Sequence, residues 1–157
     1  MPDKEYIIFC DESDVSGAYY SNFYGGVMVG SSQYDRVTAR LNAEKTRLNF
    51  FGEVKWSKVT ALYLAKYRDL MNVFFEEVRA GNVKVRIMFR QNTHEALGLT
   101  QDQIEGAYFR LYYQFIKHAF GLMHCPPLGQ PTKLRLYFDE FPETKEAATS
   151  SKALFWP

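Results

Sequence analysis

Two apolar runs in this sequence end in the same chemistry. Tyr6-Ile7-Ile8-Phe9-Cys10 is followed at once by Asp11-Glu12-Ser13, and Leu134 to Phe138 is followed by Asp139-Glu140. Acids directly after a hydrophobic strand contribute nothing to packing, and strand ends of α/β sheets are where ligands bind. If the two strands lie side by side, Asp11 and Asp139 converge. Two carboxylates ~4 Å apart repel by roughly 1–4 kcal/mol, depending on the dielectric, unless a proton or cation lies between them. Hard oxygen donors with little His or Cys suit Mg²⁺ or Mn²⁺. Neighbours on an extended strand point to opposite faces, so Asp11 and Glu12 cannot both enter one site. Asp11 and Asp139 are the first choice of ligands, with Glu12 and Glu140 second.

A third acid stands in Gly52-Glu53-Val54-Lys55-Trp56. In an extended segment Glu53 and Lys55 share a face, while Val54 and Trp56 turn to the core. A Glu that completes a metal shell beside an ammonium that meets phosphate suits phosphodiester cleavage. Arg86 and Arg90, with Lys84, form the candidate substrate-binding stripe for phosphate. His118, His124 and Cys125 match no usual zinc spacing. There is no G-x-G-x-x-G, no Walker-type Gly-Lys-Ser/Thr and no G-x-S-x-G elbow.

The elements that must position these groups are legible from periodicity. Tyr6–Cys10 reads as a strand buried on both faces, and Tyr19–Val29 as a second strand. Gly25-Gly26 inside it points to a bulge or to a close approach by another group. Ser31-Ser32 can cap a helix that runs to about Asn49 and ends at Gly52. Tyr63, Tyr67, Leu70, Phe74 and Val78 make the apolar stripe of a second helix, about Val59 to Arg79, closed by Gly81-Asn82. Val83, Val85, Ile87 and Phe89 alternate with Lys84, Arg86, Met88 and Arg90, the pattern of a half-exposed strand with one cationic face. A third helix after Thr100 carries Ile104, Tyr108, Leu111, Phe115 and Leu122. The last strand is Leu134–Asp139. This order predicts one α/β domain over residues 1–157, a mixed β-sheet flanked by α-helices.

Composition agrees with that class. The 157 residues are 46% hydrophobic and 24% charged, which excludes wholesale disorder. A net charge of +1 excludes a strongly basic protein that coats nucleic acid, though a local cationic groove remains compatible with it. The longest apolar run is far short of the ~20 residues that span a bilayer, and no signal core follows the N-terminus. A cytoplasmic protein with no membrane partner is expected, its two cysteines reduced.

Asp11-Glu12-Ser13 after an apolar strand, Gly25-Gly26-Val27, Glu53-x-Lys55-Trp56 and an Asp ending a late strand together resemble domain-of-unknown-function family 3800. The resemblance runs from Tyr6 to Glu140. It implies a ribonuclease H-like fold and a metal-dependent nuclease of phage, mobile-element or defence context, with Mg²⁺ or Mn²⁺ as cofactor and nucleic acid, DNA or RNA, as partner. In that reading Asp11 bridges the metal ions, Asp139 and Glu53 complete their shells, and Lys55 neutralises charge at the scissile phosphate. Members carry a further acid in a helix beyond the last strand. Residues Glu143–Leu154 lack it, so a C-terminally truncated member is expected, with exposed apolar surface and hence a homo-oligomer. The alternative is a catalytically inactive domain of the same type that binds nucleic acid or a protein partner.

Overall fold

The computed structural model describes residues 5–13, 17–93, 97–100, 107–124 and 131–139. Strand β1 (Glu5–Ser13) turns back into β2 (Tyr20–Gly30), which leads into helix α1 (Ser31–Arg47). A short 3-10 turn (Trp56–Lys58) precedes α2 (Leu64–Arg79), and β3 (Val83–Gln91) follows. Helix α3 (Ala107–Gln114) continues into a π-helical turn (Phe115–Ala119) before β4 (Lys133–Phe138). The strands lie in the order β3-β2-β1-β4. β1 pairs antiparallel with β2 and parallel with β4, and β2 pairs antiparallel with β3, so the sheet is mixed as expected.

Each face of the sheet buries its own core. Ile7, Val29 and Val83 form one row across three strands and pack with Val37 of α1, with Phe74 and Val78 of α2 against them. On the opposite face Ile8, Cys10, Tyr24 and Met28 pack with Tyr112, Phe115, Ile116 and Phe120. Gly26 belongs to this second face. A Cβ there would lie 2.8 Å from the Phe115 ring and 3.1 Å from that of Phe120, so the close approach anticipated from the Gly pair is made by aromatic rings. The register of β2 against β3 also shifts between Ser21 and Tyr24.

Helix ends differ from the sequence reading in detail. Gly30, in extended conformation, is the N-cap of α1, and no side chain caps it, so Ser31-Ser32 lie inside the helix. Its C-terminus is set by Asn49 at φ 58°, ahead of Gly52. Asn49 N–H bonds to Thr46 O and Phe50 N–H to Lys45 O, which satisfies two end carbonyls. Gly81 and Asn82 do the same for α2, bonding to Val78 O and Glu77 O. α2 begins at Leu64, because Thr60–Tyr63 form a separate turn ahead of it. Tyr63 is 45% exposed in consequence, whereas Leu70 is buried.

One acid sits where the apolar stripe of α2 would place a hydrophobic residue. Glu77 is 1% exposed and accepts two hydrogen bonds from Arg36, at 2.8 and 3.2 Å, and one from Arg40 at 2.5 Å. Asn82 donates a fourth at 2.8 Å. This clasp joins α1 to α2 across the layer that covers half of the sheet. Among the described residues no helix is long and apolar enough to cross a membrane.

Candidate active site

The parallel pairing of β1 with β4 decides where the acids go. Cys10 is the register partner of Phe138, so Asp11 and Asp139 are the next residue on each of two neighbouring strands running the same way. Both stand just past the last β1–β4 register pair, at one end of that pairing, where adjacent backbones are ~4.8 Å apart. The opposite end of the pair is fixed by Arg135, which donates to Glu5 at 2.9 Å. Asp139 lies one residue beyond β4, in a bend, and both acids are exposed. The Asp11 carboxylate accepts the Glu12 backbone N–H at 2.9 Å, a local bond within β1.

Asp11 and Glu12 separate as the pleat requires. Asp11 stands on the α1/α2 face, in one row with Gly25 and Ile87. Those residues, with Glu12, Ser13 and Phe23, line an open groove of about 370 Å³. Gly25 is its floor: a Cβ there would meet only Asp11 O, at 3.9 Å. Glu12 takes the other face, where the buried Tyr112 hydroxyl donates to its carboxylate. Burial, with Glu12 as a second cause, pushes the Cys10 thiol and the Tyr24 phenol each up to about 12. Glu12 thereby ties β1 to α3 while also bordering the groove beside Asp11.

Glu53 and Lys55 do share a face, paired at 2.9 Å. The hydrogen bond and charge of Glu53, and more weakly the charge of Asp139, hold the Lys55 ammonium above its usual range, so this loop lies within electrostatic reach of the end of β4. Trp56 corrects the expectation of a core residue. It opens the 3-10 turn, the extended alternation stops there, and its side chain is 88% exposed. Arg86 is committed to backbone, donating to Ala119 O and Val85 O at 2.8 Å each, so it staples β3 to the turn after α3. Arg90 is exposed. His118 and His124 are exposed, while Glu140, His94, Cys125 and the loop 126–129 lie outside the described residues.

The donor chemistry fits a hard divalent cation in kind, since Asp11, Asp139 and Glu53 offer only carboxylate oxygens. The gathering is incomplete: among the described residues no three His, Cys, Asp or Glu side chains stand close enough together to hold a metal ion. The carboxylate of Glu53 is paired with Lys55. The Glu77 clasp was missed in sequence. Its signal was an acid on the apolar stripe of α2, with Arg36 and Arg40 four residues apart on α1. Compared with protein-family models, curated proteins and solved structures, the chain finds no match.

Proposed function

We propose that the chain hydrolyses nucleic-acid phosphodiester bonds with a divalent cation, on a mixed sheet of ribonuclease H-like type. The observation that carries this reading is that Asp11 and Asp139 each follow the last register pair of two neighbouring parallel strands, with Lys55 in electrostatic reach. Helices on both faces of the sheet and the open groove beside Asp11 support it. Asp11 and Asp139 would hold the ion, and Glu53 would join them on leaving Lys55. An ion bound there supplies Lewis acidity to a phosphoryl oxygen and makes water more acidic. Lys55, released from Glu53, sets a positive charge against the phosphate. Gly25 leaves room for the backbone of a substrate to lie along the sheet.

The test is a cleavage assay on single- and double-stranded DNA and RNA with Mg²⁺, Mn²⁺ or EDTA. Cleavage is expected only with a divalent ion, and Asp11→Asn or Asp139→Asn is expected to reduce it by ~100-fold or more, the scale of a lost charge-stabilising contact. Ion-independent cleavage, or full activity in Asp11→Asn, would overturn the reading. The Glu53–Lys55 pair favours a second reading, an inactive domain that binds nucleic acid or a protein. Binding without cleavage under every ion condition would select it.

A further inference from the structure

The chain is close to neutral overall, yet its outermost described strand is not. Residues 83–93 hold Lys84, Arg86 and Arg90 and no acid. These three alternate with apolar residues and so share one face of β3. Neither Lys84 nor Arg90 has an ion pair among the described residues. Arg86 reaches the helical turn after α3, which also carries exposed Lys117.

The other face of the same strand end is aromatic and open. Phe89 is 51% exposed, and its ring meets Tyr20 edge-on at 5.0 Å and Phe23 at 5.6 Å. Phe23 also lines the groove that contains Gly25 and Asp11, so the rings lead directly to the acids. Phosphate contacts need cations in a row, and unpaired bases need exposed rings on which to stack. A duplex satisfies the first need, but its bases are stacked internally and leave the rings unused. Cations on one side of an edge strand and rings on the other match a single strand.

We propose that β3 is a binding track for single-stranded nucleic acid, with Lys84 and Arg90 on its phosphates and Phe89, Tyr20 and Phe23 under its bases. The track rests on the reading of the Asp11 groove as a nucleic-acid site and specifies the substrate as unpaired.

Fluorescence anisotropy in EDTA tests it without any hydrolysis, using labelled 20-nucleotide single-stranded DNA, the matching RNA, and the DNA duplex. Either single strand is expected to bind at least tenfold more tightly than the duplex. Phe89→Ala is expected to weaken single-strand binding about tenfold, the scale of one lost base–ring stack. Phe89→Leu, which keeps apolar bulk at a half-exposed site, should weaken it comparably. Arg90→Gln should lower the slope of log K against log salt by about 0.7, as for one phosphate contact to a single strand. Lys45→Gln on α1 should change nothing. Equal or tighter duplex binding, no single-strand binding, or wild-type affinity in both Phe89 variants would overturn the track. Adding Mn²⁺ afterwards separates the two readings. Ring-dependent binding without cleavage keeps the track and sinks the hydrolase, and cleavage with no dependence on Phe89 does the reverse.

Discussion

A Cβ on Gly26 would press on Phe115 and Phe120, whereas one on Gly25 would find open groove. The two neighbours on β2 therefore answer differently to the same substitution. Gly26→Ala is expected to lose ~1–3 kcal/mol in urea melts, the cost of forcing atoms into a packed core. Gly25→Ala should stay within ~0.5–1 kcal/mol of wild type and lower turnover, because it raises the groove floor beside Asp11. At Asp11 itself the amide of Asp11→Asn keeps an oxygen for the Glu12 N–H and removes the charge. Melting in EDTA should be unchanged or raised. The Mn²⁺-induced shift of wild type, ~2.7 kcal/mol at a hundredfold excess over Kd, should vanish. Matching shifts in the two proteins would reject the ion site. The opposite facing of Asp11 and Glu12 was legible because a pleat has a fixed period of two. Trp56 was not, because a 3-10 turn starting there breaks that period, and no local pattern announced it.

The layer formed by α1 and α2 depends on a carboxylate. Hydrogen bonds from Arg36 and then Arg40 hold the Glu77 carboxyl at about 2, well below the ordinary 4.5. A depressed carboxyl stabilises the fold above its unfolded value and loses that contribution as it protonates. Stability should therefore be flat above about pH 5 and decline as pH falls from 4.5 toward 2, steeply enough to follow by circular dichroism. Glu77→Ala should remove this acid dependence and cost about 2–3 kcal/mol, less than a fully buried pair because both guanidinia are half exposed. The strands and α1 were legible to within a few residues, since alternation and 3.6-residue stripes are local. Their ends were less so: Asn49 stops α1 by adopting the left-handed conformation that glycine more often takes. Glu77 escaped notice because its partners belong to another helix.

At the scale of the molecule, local pattern could say that two strands end in acids but not that they are neighbours. That adjacency depends on a parallel pairing between the first and last described strands, with β2, α1, α2, β3 and α3 between them. The cationic face of β3 was legible from its alternation, whereas the partners of Arg86 on the turn after α3 were not. The Glu12–Tyr112 contact, 100 positions apart in the chain, has the same character.

This connectivity also fixes an order of events. Loop-closure entropy delays contacts between distant segments, so β4 is expected to dock on β1 after the β1–β2 hairpin and the helices have formed. A chain emerging from the ribosome exposes Asp11 long before Asp139 exists beside it. On the proposed reading, the pair of acids at that end of the sheet cannot assemble until β4 has been made and has reached β1. In stopped-flow refolding, Mn²⁺ affinity should appear only with the slowest phase. Recovery of affinity in the fast phase would show that Asp11 binds the ion without β4.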